Sequence, residues 1–228
     1  MSKIIKYYIV TEDQQNLEYE IQLDPMNSIM KRTSSIPPMP WTNLENCKCE
    51  SCPLNVKKHK QCPVAVNLSD FIETFKNQKS FSKVSTKVVT GQRTYLKESD
   101  LQTTLKSIFG LIMATSGCPI LDPLRPMAKF HLPFATIEET MMRSISMFLL
   151  RKYMEDENEN VQLNLDQLNE EYRKIAHVNQ WIAKRLNTIT RTEEGEADKN
   201  AISQLNNYTQ FLAIEIECNL DSIKKIFD

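Results

Sequence analysis

Near the N-terminus apolar and polar side chains alternate, with Leu17, Tyr19, Ile21 and Leu23 separated by Glu18, Glu20 and Gln22. A period of two is the pattern of a strand with one buried face. Residues Ile4 to Val10 before it are β-branched and aromatic, and Thr11 to Asn16 are polar, so the two segments predict a hairpin. Two more strands are predicted over Ser80 to Thr90 and Arg93 to Leu96, around a turn at Thr90-Gly91. Elsewhere the period becomes helical. Val64, Leu68, Phe71, Ile72 and Phe75 share one face, and a second helix carries Leu101, Leu105, Ile108 and Ile112, with Ser99 and Gln102 as its capping box and Gly117 as its end. Thr136 and Glu139 form another capping box, ahead of a helix that turns Met141, Ile145, Phe148 and Tyr153 inward.

The last third has a 3-4 rhythm through Leu165, Leu168, Tyr172, Ile175, Asn179, Ile182, Leu186 and Ile189. This is a coiled-coil seam in which Asn179 fixes the register. A polar link, Arg191 to Asn200, joins it to a final helix through Leu205, Leu212, Ile216, Leu220, Ile223 and Phe227, giving an αα-hairpin. Prolines exclude regular structure from Ile36 to Trp41 and make Cys118 to Pro133 a packed irregular loop. Glu155 to Asn160 is an acidic, solvated break. The expected fold is α+β and mostly helical, with a small antiparallel sheet and a knuckle at 49–62 inside an α+β domain over 1–160. The hairpin over 161–228 packs on that domain, and a second copy of the chain is an alternative partner for its apolar stripe.

Only four glycines serve the 228 residues, few for a β-rich chain, which strengthens the helical reading. The net charge of −1 supplies no overall attraction to nucleic acid or to an anionic membrane. A start with Lys3 and Lys6 soon turns polar and does not read as a signal peptide. The longest uncharged run, Ser107 to Leu121, is interrupted by Gly110, Gly117 and Pro119 and is too short to span a bilayer. A cytoplasmic protein is expected.

Six cysteines, four of them between Cys47 and Cys62, are clustered where a disulfide framework would be spread. The spacing of Cys49, Cys52, His59 and Cys62 sets two close pairs of donors across a short loop. A tetrahedral zinc ion takes thiolate and imidazole in that way. Lysines 57, 58 and 60 offset the charge of the thiolates. Cys47 in place of His59 would give four thiolates, and the prolines after Cys52 and Cys62 resemble the ends of iron–sulfur motifs, so an iron–sulfur cluster is the alternative cofactor. Buried thiols without metal are the bland reading.

Several separated motifs carry a family resemblance: Trp41 with Leu44, CESCPL from Cys49, HKQCPVAVNL from His59, GLIMATSGCP from Gly110 and RPMAKFHLPFATIEET from Arg125. Over nearly the whole chain the pattern resembles a group of uncharacterised bacterial proteins classed as a domain of unknown function. The resemblance implies a single fold unit in a bacterial cytosol and transfers no catalytic residue, and Cys47 lies outside its pattern.

These residues point to a zinc-stabilised interaction or ligand-binding module more than to an enzyme, with a protein as the expected partner. Four protein ligands around zinc leave no open position for water. The competing reading is a thiol-dependent enzyme or redox protein with a pocket at Cys118, Arg125 and His131. The basic tip Lys57, Lys58, His59 and Lys60 has no interleaved aromatics, which argues against nucleic acid. Phosphate-loop, GxSxG and HExxH patterns do not occur.

Overall fold

The computed structural model describes residues 3–33, 37–155, 165–189, 196–217 and 220–226. It is an α+β fold. Strands β1 (Lys3–Thr11), β2 (Asn16–Leu23), β3 (Met30–Lys31), β4 (Lys83–Val89) and β5 (Thr94–Asp100) form one antiparallel sheet in the order β3-β2-β1-β4-β5. The first hairpin pairs Tyr7 with Tyr19, and its turn places Gln14 at a positive φ of 59°.

One face of the sheet is closed by α1 (Pro63–Phe75) and α2 (Leu101–Thr115). Ile5, Tyr7 and Ile9 of β1, Ile21 and Leu23 of β2, and Val84, Thr86 and Val88 of β4 all point into this layer and are buried. Alternation produces that result because successive side chains of a strand face opposite ways. Phe71 of α1 stacks edge-on against Tyr19 at 5.3 Å and Phe109 of α2 at 4.9 Å between ring centres. A buried bond of 2.8 Å between Thr86 Oγ1 and Thr104 Oγ1 pins α2 to the sheet.

Beyond α2 lie α5 (Asp166–Leu186) and α6 (Ala197–Glu217), which pair along most of their length, with α6 also against α2. The seam residues Leu168, Tyr172, Ile175, Asn179, Ile182 and Leu186 are buried. Asn179 donates to Thr209 Oγ1 at 3.0 Å, so the polar position of the seam is matched by a polar position opposite. Helix α4 (Ile137–Glu155) opens on a reciprocal capping box in which Thr136 N donates to Glu139 Oε2 and Glu139 N to Thr136 Oγ1.

Some expectations are corrected. The cap of α2 is Asp100, whose side chain accepts from Thr103 N, because β5 runs one residue further than Ser99. The proline-rich loop contains a 3-10 turn at Asp122–Leu124 and a short helix α3 (Arg125–Lys129). In each a proline occupies the first turn, where its missing N–H costs nothing. Tyr153 is 68% exposed, since the inward stripe of α4 outlasts the core beneath it. The final helix is divided into α6 and α7 (Asp221–Lys224), with Leu220 left-handed at φ 61°. Phe227, residues 156–160 of the acidic break and residues 191–195 of the polar link fall outside the described residues.

Candidate functional site

The cysteine loop hangs between two arms zipped together. Leu44 N donates to Lys60 O and Cys62 N to Thr42 O, both at 2.9 Å, around an antiparallel bridge between Asn43 and Gln61. The Gln61 amide bonds Asn43 Oδ1 at 2.9 Å. Inside the loop, Cys52 N donates to Cys49 O at 3.0 Å, closing the turn that both cysteines share. Asn55 shapes the tip by accepting from Lys57 N and His59 N.

One arm is anchored by a residue that spacing did not single out. Arg185 of α5 is only 2% exposed, and its guanidinium donates to Trp41 O at 2.5 Å, Asn43 O at 2.7 Å and Cys47 O at 2.7 Å. A planar fork with several donors suits these three carbonyls, of which only that of Asn43 has a backbone donor as well, Asn46 N at 3.3 Å.

Four thiols gather beside this clamp. Cys62 is the N-cap of α1, and Cys118 follows Gly117, whose φ of 80° reverses the chain at the end of α2. Asn67 ties these two ends together, donating to Pro63 O at 2.8 Å and Ser116 O at 3.2 Å. The backbone N–H groups of Ala65 and Val64 act on the Cys62 thiol, and those of Leu121 and Ile120 on the Cys118 thiol. Burial raises the pKa of Cys62 and of Cys118, and these donors partly oppose it. Burial, reinforced by Cys62, Cys52 and Cys118, pushes the Cys49 thiol up to about 12, with Arg185 acting in the opposite sense. Cys49, Cys52, Cys62 and Cys118 therefore lie within one another's electrostatic reach. Among the described residues, however, no three His, Cys, Asp or Glu side chains close on a single ion-sized point. The thiols are neighbours that must turn inward to share an ion.

His59 is exposed on the lysine-bearing tip. Cys47 turns the other way and meets the carbonyl of Trp181 at 3.8 Å. The Cys118, Arg125 and His131 set is not assembled: Cys118 belongs with the thiols, Arg125 pairs with Asp122 at 3.1 Å, and His131 bonds the Tyr7 hydroxyl at 2.6 Å.

His131 instead lines a cavity of about 160 Å³ reached from α2, α3, α4, α5 and α6, whose other polar side chains include Lys106, Ser107, Arg143, Tyr172 and Tyr208. Burial, with Arg143 and Lys3 nearby, lowers the His131 pKa to about 3, so the ring is neutral. Tyr7 is fully buried; burial pushes its phenol pKa above the usual range, and its hydroxyl also meets Ser107 Oγ at 3.0 Å. Arg143 donates to Met127 O at 2.8 Å and Phe130 O at 2.9 Å, capping the end of α3. Burial lowers the pKa of its guanidinium.

An α+β protein with a corner of four thiols and a separate, mostly apolar cavity is the class that fold and site define. Residues 5–228 match the family model described as a domain of unknown function, DUF6901, and the chain belongs to that family. Comparison with curated proteins gives no match, and neither does comparison with solved structures. Among the described residues no helix is long and apolar enough to cross a membrane.

Proposed function

We propose that the protein is a zinc-stabilised binding module whose ion is held by Cys49, Cys52, Cys62 and, in place of His59, Cys118. The observation that carries this reading is the grouping of four thiols from three separate segments, within electrostatic reach of one another, at a corner braced by Asn67 and Arg185. Backbone N–H groups near Cys62 and Cys118, and the start of a helix at Cys62, offset part of the burial that disfavours thiolates there, which a bound cation would offset further. The positive charge of Arg185 offsets part of the negative charge of a four-thiolate site. Such a closed set supports a structural ion that ties the loop to α1 and α2, and leaves no coordination position for catalysis. A second reading has one specific support: Cys52, Cys62 and Cys118 are each followed by proline, as at the ends of iron–sulfur motifs.

Elemental analysis of protein purified without chelator tests both. About one zinc per chain is expected, as in structural sites whose occupancy is coupled to folding. Cys118→Ser should lose it while His59→Ala keeps it. Iron with sulfide would establish the second reading, and loss of zinc in His59→Ala alone would return the fourth position to His59. Metal-free protein would refute both.

A further inference from the structure

We infer that the cavity beside His131 binds a small organic acid, a carboxylate carried on an apolar body of about six carbons. This inference is independent of the metal reading, because no cysteine lines the cavity. Three observations lead to it.

The first is size and lining. The space of about 160 Å³ is walled mainly by leucines, alanines, Met127 and Phe134. An apolar cavity of about 150 Å³ accommodates a benzene ring. A body of that size fits, and a sugar or nucleotide does not. The second is charge. The charged side chains of the lining are Lys106 and Arg143, with no aspartate or glutamate among them. Glu139, the carboxylate that acts on Arg143 through space, is engaged by the Thr136 N–H in the capping box.

The third is which hydrogen-bonding groups are already used. His131 bonds Tyr7, Ser107 bonds Tyr7 and accepts from Phe134 N, and Tyr172 bonds Ser144. Arg143 uses one guanidinium nitrogen on the carbonyls of Met127 and Phe130 at the end of α3, and its other nitrogens have no bond partner among the described residues. The Lys106 ammonium lies 3.7 Å from the centre of the Tyr208 ring, a contact that leaves its donors available. Donor capacity in this apolar space is therefore concentrated on two cations and the Tyr208 hydroxyl. A carboxylate satisfies them with charge-assisted bonds, whereas a neutral polar ligand leaves a half-buried charge uncompensated.

The test is calorimetric titration of the full chain with benzoate and hexanoate, against benzyl alcohol and hexanol as neutral counterparts. The ring and chain acids distinguish an aromatic from an acyl source of the same chemistry. At least one acid is expected to bind at millimolar concentration or below, at least about tenfold tighter than its alcohol, the ratio that a charged hydrogen bond provides. Arg143→Gln should narrow that ratio, and Arg143→Lys should restore part of it.

Because Arg143 also caps α3, a second variant fills the space without touching a polar group. A Cβ at Gly110 would meet Leu205 Cδ1 at 3.8 Å, an ordinary contact, and leucine is a better helix former than glycine. Gly110→Leu should fold, retain its metal content and lose acid binding. Equal binding of acid and alcohol, no binding of either acid, or acid binding unchanged in Gly110→Leu would each overturn the inference. None of these outcomes bears on zinc content measured in the same samples.

Discussion

Arg185→Met is the substitution through which the brace of the thiol corner can be weighed. Methionine keeps an unbranched apolar stem in the buried slot of α5 and removes only the fork. Three donated bonds of 2.5 to 2.7 Å are lost; the carbonyls of Trp41 and Cys47 lose their partner, and that of Asn43 keeps only the Asn46 N–H at 3.3 Å. A buried polar group left unpaired costs about 1–3 kcal/mol. Trp41 and Cys47 are each partly exposed, so water recovers some of this, and a total of about 2–4 kcal/mol is expected. At this chain length each kcal/mol moves the thermal midpoint by roughly 2–4 °C, so a fall of about 10 °C follows. Urea unfolding and calorimetry, each run with excess zinc and with excess chelator, would separate loss of the clamp from loss of an ion. Arg185→Lys keeps the charge but not the fork, and should recover only a minor part. A cost below about 1 kcal/mol in Arg185→Met would refute the reasoning, because the three bonds would then not hold the loop.

Two further outcomes follow from the same kind of bookkeeping. His131 is held neutral down to about pH 3, while in the unfolded chain its pKa is near the ordinary 6.5. The unfolded state therefore takes up the proton first as pH falls. The stability tied to this residue is complete above about pH 6.5 and declines below it, by at most about 1.4 kcal/mol per pH unit. Since His131 retains some surface, the measured slope should be smaller. Urea unfolding between pH 7 and pH 5 should show a steeper decline for the native chain than for His131→Phe, and identical slopes would contradict the assignment. Thr136→Ala removes one half of the capping box of α4 and should cost about 1 kcal/mol by denaturation, with no effect on metal content.

How far these features could be read from the sequence depends on whether the physics was local. The hairpin was legible because β1 and β2 have one wet and one dry face, which imposes alternation on residues 4–23. The seam of α5 was legible for the same reason, with Asn179 matched by Thr209. Misreadings arose where two local signals competed. Ser99 and Asp100 are adjacent residues, either able to cap, and only the extent of β5 decides between them. Pro126 was taken to exclude helix, yet at the first turn proline is compatible with α3. Cys118 lies far from the cysteine loop in sequence, so spacing gave it no place there. A usable signal did exist, the Cys-Pro pair that it shares with Cys52 and Cys62. Arg185 carried none, because a buried arginine that binds backbone carbonyls has no sequence pattern of its own.

Helix α2 connects the two proposed sites and also shows why they should be treated separately. Its early residues are fixed on the sheet through Thr104, its middle supplies Ser107 and Gly110 to the cavity, and its end delivers Cys118 through Gly117. From Ser107, which carries the polar group that α2 gives the cavity, to Ser116 the helix advances about 14 Å at 1.5 Å per residue, with the apolar lining reaching on to Ala114. Sites at that separation with no shared partner contribute additively as a rule. Coupling would require α2 to have two arrangements that a ligand at either end could distinguish. Its buried bond to Thr86, its contact with α6 and the Asn67 tie at its end all oppose such movement. An ion at the corner and an acid in the cavity would then each stabilise the same folded state by its own mass action, and neither would change the affinity for the other.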